Sequence, residues 1–151
     1  MSKYFFLLLF IPGIANAQPS LNKGQFQLNT GLGFSSSGIP VYLGLDYAFH
    51  RDMTIGAEGT LRFFNKNTFV SAVGNWNYHF NTLAKIEPKY DFYAGVNVGF
   101  YTGLNNTAPI GFTGGLQIGG RYFFGRVFGL NFELGGNNVF GGGKFGITLR
   151  L

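Results

Sequence analysis

Almost the whole chain alternates with a period of two, and one phase of that alternation carries no charge. Eight runs show it: 25–34, 41–50, 53–64, 68–80, 91–101, 110–124, 127–137 and 144–151. Successive side chains of a strand point to opposite faces, so such runs build a sheet with two unlike sides. The apolar phase opens with Phe26, Leu28, Thr30, Leu32 and Phe34 and closes with Phe145, Ile147, Leu149 and Leu151. Asp, Glu, Lys and Arg make up 11% of the residues, yet none falls on this phase. The opposite phase carries Asp46, Glu58, Arg62, Arg121, Glu133, Lys144 and Arg150. Hydrocarbon on one side and polar surroundings on the other select that asymmetry. The fold class that supplies both is all-β: an eight-stranded antiparallel up-and-down transmembrane β-barrel.

The N-terminus has a different character. Lys3 precedes an apolar stretch, Tyr4 to Ile11; Pro12-Gly13 breaks it, and Ala15-Asn16-Ala17 fits the small-x-small cleavage rule. Residues 1–17 are therefore expected to be a signal peptide and residues 18–151 the barrel domain. The apolar stretch is too short for a transmembrane helix, which needs about 18 or more residues. There is no Cys, so neither a lipid-anchored Cys nor a disulfide nor a thiolate metal site is available. The formal net charge of +5 includes Lys3, and the remaining cations are scattered singly. Without a basic cluster, and in an exported chain, nucleic acid is not an expected partner; the cations read as lumen and rim charge.

Glycine, at 25 residues, is far above ordinary usage, and its placement carries information. Most strand glycines (Gly31, Gly33, Gly44, Gly56, Gly95, Gly99, Gly111, Gly115, Gly119, Gly129, Gly135, Gly146) share the polar phase. The interior of an eight-stranded barrel is only wide enough for side chains to fill, and small inward residues relieve the crowding. The connections alternate in kind. Ser35–Pro40, Asn65–Asn67, Thr102–Pro109 and Asn138–Gly143 read as one set of loops, and Arg51-Asp52, Asn81–Tyr90 and Gly125-Arg126 as the other. Secretion would leave both termini in the periplasm, with the first set facing outward.

The aromatics of the apolar phase sort by height. Phe26, Tyr47, Phe49, Trp76, Tyr78, Phe80, Phe92, Tyr122, Phe124 and Phe128 fall near the terminal ends of their runs, and Phe34, Phe63, Phe100, Phe112 and Phe145 near the opposite ends. Between them lie mostly Leu, Val, Ile, Ala and Gly. Two aromatic girdles around an aliphatic belt is the expected pattern of a barrel in a bilayer.

On these residues the chain resembles the small bacterial outer-membrane barrels of the OmpA transmembrane and OmpX type. The stretch Pro88-Lys89-Tyr90-Asp91-Phe92-Tyr93-Ala94-Gly95-Val96-Asn97-Val98-Gly99 resembles the turn and fifth strand of many such proteins. The last run, Phe145 to Leu151, is similar to the C-terminal signal read by the barrel-assembly machinery, ending here in Leu rather than Phe. The resemblance implies the cell outer membrane as location, with outer-membrane lipids and lipopolysaccharide as surroundings and the assembly machinery as a transient partner. It implies a monomer without a cofactor, and it transfers activity poorly.

The inward charges are the strongest candidate site: a lumen network of Asp46, Glu58, Arg62, Arg121, Glu133 and Arg150. If residue 50 pairs with 54, Asp46 stands opposite Glu58; if 121 pairs with 131, Arg121 and Glu133 are diagonal neighbours. Such a network is either a polar pathway or an ion lattice plugging a narrow core, where buried charges must be paired. His50 and His79 lie at the terminal end with no third ligand at metal-binding spacing, so no metal site is expected. A lipid A-modifying enzyme would need Ser, His and an acid together. Ser71 is expected at the end opposite both histidines, so no catalytic residues are assigned. Gly141-Gly142-Gly143-Lys144 lacks the Ser/Thr and the helix of a phosphate loop, and Asn105-Asn106-Thr107 is a glycosylation sequon without meaning for most bacterial exports. A soluble lipocalin-like barrel would reverse the polarity, with apolar residues inside. The expected role is non-enzymatic: an envelope-integrity barrel with at most minor permeability to small solutes.

Overall fold

The computed structural model describes residues 21–104 and 108–151. The expected signal peptide and the sequon at 105–107 lie outside the described residues. Eight strands run β1 (Phe26–Phe34), β2 (Ile39–His50), β3 (Met53–Phe64), β4 (Asn67–His79), β5 (Tyr90–Gly103), β6 (Ala108–Phe123), β7 (Phe128–Asn137) and β8 (Gly141–Arg150). Each pairs antiparallel with the next, and β1 pairs with β8 to close the barrel. Closure removes every sheet edge, so all strands satisfy their backbone groups laterally.

Closure is tight where β1 meets β8. Gly31 pairs with Gly146. A Cβ added at Gly31 would meet the Phe145 carbonyl oxygen at 2.2 Å, and one at Gly146 the Thr30 carbonyl oxygen at 2.0 Å. Only glycine permits strands to curl inward that closely. Gly119 serves a different purpose. It pairs with Tyr93 across β5 and β6, and the Tyr93 ring occupies the place its Cβ would take, 2.3 Å from the ring carbon bearing the hydroxyl.

The turns explain where strand boundaries differ from the sequence expectation. Asn137 Oδ1 accepts from the backbone amides of Val139 and Phe140 at 2.9 and 2.6 Å, an Asx turn that tightens the last connection. The strand therefore begins at Gly141 instead of 144, and Gly141 to Gly143 pair with Gly136 to Leu134. Phe145 consequently lies at mid-strand opposite Phe132, in the belt and not in the outer girdle. Asn65, at a φ of 54°, makes the sharp turn between the paired Phe64 and Asn67; Asn tolerates that left-handed conformation. Pro40 belongs to β2, paired with Arg62. It lies beyond Val41, the last β2 residue paired with β1, so its missing N–H is not needed by a neighbour.

Side chains sort by phase as the alternation requires. Leu32, Leu43, Leu61, Val98, Leu116 and Ile118 point outward and are exposed. Gln27, Asn29, Asp46, Asn77, Asp91, Arg121 and Asn131 point inward and are buried. This inverts the arrangement of a water-soluble protein, in which buried charge is rare and extended apolar exposure rarer.

Candidate functional site: the ionic lumen

The inward side chains form stacked layers. In the layer nearer the termini, Arg121 of β6 reaches two carboxylates from other strands. Its Nη1 donates to Asp91 Oδ2 at 2.7 Å, and its Nη2 to Asp46 Oδ2 at 3.0 Å. All three side chains are at most 3% exposed. The guanidinium also stacks on Tyr93, 4.2 Å from the ring centroid. With its amide oxygen turned inward, Gln27 accepts from Arg121 Nε at 2.9 Å. Asn29 donates to Asp46 at 2.9 Å and accepts from Thr148 at 2.8 Å. The buried charges thus have the partners that a desolvated ion requires.

Asp91 also binds His79, with Nδ1 to Oδ1 at 2.8 Å, and His79 Nε2 lies 3.0 Å from Thr54 Oγ1. Hydroxyl, imidazole and carboxylate therefore stand in the order used for nucleophilic acyl transfer. All three are buried. Thr54 is 2% exposed, Asp91 is shared with Arg121, and none of the three borders the two lumen pockets of about 80 and 10 Å³.

A second layer lies further from the termini. Lys144 of β8 bridges Glu58 of β3 and Glu133 of β7, each at 2.7 Å. Tyr93 donates to Glu133 at 2.7 Å and Tyr42 to Asn131 at 2.5 Å, and the Lys144 ammonium sits 4.9 Å from the Tyr42 ring centroid. Tyr42 and Tyr93 thereby tie the layers together, and a pocket of about 10 Å³ lies between them, about the room that one water needs.

The two remaining expected residues make no ion pair among the described residues. Arg62 donates to Ser35 at 2.6 Å and packs 4.4 Å from the Phe140 ring centroid. Phe140 also contacts Phe69 and Tyr101 edge-on at the end far from the termini. Below it a pocket of about 80 Å³ is bordered by Arg62, Ser71, Lys144 and Glu133. At the other end Arg150 donates to the Pro88 carbonyl at 3.0 Å and covers the Phe123 ring.

Registers explain which expectations were met. Arg121 does pair with Asn131, but its side chain turns to Asp46 and Asp91, leaving Glu133 to Lys144. Asp46 stands opposite Gly56, not Glu58. A bulge between Ala48 and His50 shifts the hairpin, so the two carboxylates enter different layers, each with its own cation. Asp91, Tyr42, Tyr93 and Phe140 complete the lumen without having been named for it from sequence; the alternation puts Lys144 and His79 on the inward phase without assigning either to the charge network. Asp91 and Lys144 were recognisable in principle, being charges on the inward phase. Phe140 was not, because a turn residue has no phase.

On the outside, Phe49, Trp76, Phe92, Tyr122 and Phe124 are exposed, and Tyr47, Tyr78 and Phe80 are half-buried. Ring pairs link Phe26 with Tyr47 (4.8 Å), Tyr78 with Phe80 (5.3 Å), Tyr122 with Phe124 (5.1 Å) and Phe124 with Phe128 (6.0 Å). Tyr90 joins this end by contact with Tyr122 at 5.3 Å.

No protein-family model matches the sequence, and no curated protein matches it. Solved structures do match in fold. The N-terminal β-barrel domain of Pseudomonas aeruginosa OprF superposes with a TM-score of 0.64 at 13% identity, covering 85% of this chain and 98% of that one. A designed transmembrane β-barrel gives 0.63 at 20% identity, covering 86% and 98%. Neisserial surface protein A gives 0.54 at 15% identity, covering 84% and 94%. The two natural neighbours are eight-stranded outer-membrane barrels, and at these identities the likeness is one of fold.

Proposed function

We propose that the chain is an integral outer-membrane barrel, exported by a cleaved leader, whose role is non-enzymatic and structural. The observation that carries this reading is the inverted polarity: a charge-free apolar phase facing outward around an interior whose Arg121 and Lys144 layers are ion-paired. A membrane supplies the partner that such an exterior needs. A soluble ligand-binding barrel would need an apolar cavity inside, and the pockets of this interior are small and bordered by charged and amide side chains. The termini, the two tight turns and the Tyr- and Trp-bearing girdle share one end, which we assign to the periplasm; the Phe140 end then faces outward.

The packed lumen favours the plug over the polar pathway. The ion pairs and the Tyr42 and Tyr93 rings crowd the lumen between the Arg121 and Lys144 layers, and on that crowding we assign the barrel a mechanical and interfacial contribution to the envelope. The mature protein is expected in the outer-membrane fraction, migrating faster on a gel before boiling than after it. Recovery in the soluble periplasm with no mobility shift would overturn the membrane reading. In planar bilayers the protein should give no long-lived conducting state; a persistent pore of defined size would overturn the plug.

A further inference from the structure

The exterior is not uniformly smooth. A groove of about 760 Å³ opens on the outer wall across β5, β6 and β7. It forms around Gly120, which points outward in register between Phe92 and Phe132. The missing side chain leaves a trough between Tyr122, Leu130 and Phe132, and the Phe92 ring leans over its edge, 3.2 Å from where a Gly120 Cβ would lie. The volume is in the range of small-molecule sites, and the walls are almost wholly apolar. Hydrophobic burial supplies no selectivity within a bilayer, where tails are as apolar as the groove, so shape and headgroup charge decide what sits there.

Charge is present at one end of the groove only. Tyr90 borders it, and the Lys89 ammonium lies 5.3 Å from the Tyr90 ring centroid. Arg126 stands exposed in the neighbouring β6–β7 turn and makes no ion pair among the described residues. Lys89 does pair with Glu87 at 3.0 Å, but both side chains are about half exposed, and such pairs contribute little and exchange readily. Lys89 thus stands beside Tyr90 at the girdle end of the apolar trough, and Arg126 lies in the turn joining the two strands of its wall, just beyond that girdle.

We infer that this groove binds one anionic glycerophospholipid of the leaflet nearer the termini, its acyl chain along Gly120 and its phosphate at Lys89 and Arg126. The inference rests on the membrane reading above. A second copy of the chain could also fill a trough, but two cations at its end would meet the same two cations of a symmetric partner; a lipid phosphate relieves them.

The test is native mass spectrometry of the full refolded chain in detergent, titrated with phosphatidylglycerol or with phosphatidylcholine of the same acyl length. One phosphatidylglycerol should be retained per barrel, favoured over phosphatidylcholine by about fivefold for each cation engaged. Gly120→Leu should abolish retention, and Leu130→Trp, which fills the trough without altering Gly120, should do the same. Lys89→Glu with Arg126→Glu should erase the preference for the anionic lipid and leave the heat-dependent mobility shift intact. A barrel that shows that shift but binds both lipids equally, or whose Gly120→Leu and Leu130→Trp variants both retain lipid, overturns the inference alone. Retention of a second barrel in place of lipid overturns it in favour of a dimer. Absence of the mobility shift in the wild-type chain overturns the membrane reading and this inference with it.

Discussion

Replacing Arg121 by Met isolates the largest electrostatic commitment in the molecule. The variant keeps the length of the side chain but withdraws the guanidinium from Asp46 and Asp91, both at most 3% exposed. Removing one partner of a buried ion pair costs about 3–5 kcal/mol, because the charge left behind stays desolvated. Here one cation serves two carboxylates and also stacks on Tyr93, which places the loss near the upper end, about 5 kcal/mol. It is held there because Asp46 keeps the Asn29 amide and Asp91 keeps His79. The assay is urea unfolding of the vesicle-inserted barrel, followed by fluorescence and by gel mobility. Asp46→Asn and Asp91→Asn added to Arg121→Met should recover most of the loss, since a neutralised site no longer buries unpaired charge. A loss below about 1 kcal/mol for Arg121→Met, the range of an exposed pair, would refute the reasoning. So would a triple variant no more stable than the single one.

Other layers and faces give smaller or differently signed effects. Lys144→Met leaves Glu58 and Glu133 facing one another, but its side chain is 19% exposed, so the same urea assay should show a loss of about 1–3 kcal/mol, less than for Arg121→Met. Gly146→Ala drives a methyl into the Thr30 carbonyl. Overpacking at a closure that cannot yield should remove at least about 1–3 kcal/mol, or prevent the fast-migrating folded band altogether. Val98→Arg, outward at mid-belt between Gly74 and Gly114, should cost about 2–4 kcal/mol in vesicles if lipid surrounds it; no change there would argue for water.

The barrel was legible in the sequence because period-two alternation and barrel geometry have the same cause: a strand cannot place neighbouring side chains on one face. Phase alone assigned Leu43 to the outside and Asp46 to the inside. Height was harder to read. It depends on register, and register depends on turns that vary by one residue. The bulge after Ala48 moved Asp46 away from Glu58, and the Asx turn at Asn137 moved Phe145 into the belt. Partner choice across the lumen was harder still. Arg121 meets Asp46 from four strands away because the interior is narrow enough for long side chains to span it, a distance that no local pattern encodes. The Gly120 groove is a case of the same kind: outward glycines are visible in the alternation, but only the ladder shows that two phenylalanines flank this one.

Trp76 offers the most direct test of the central claim, that the charge-free phase faces lipid. It is the only Trp in the chain, it points outward, and it sits in the girdle near the termini. In vesicles containing phospholipids brominated at successive acyl positions, its fluorescence should be quenched by lipid, most strongly by bromines close to the headgroup, and protected from aqueous iodide. Quenching by iodide with no response to brominated lipid would place Trp76 in water and contradict the account.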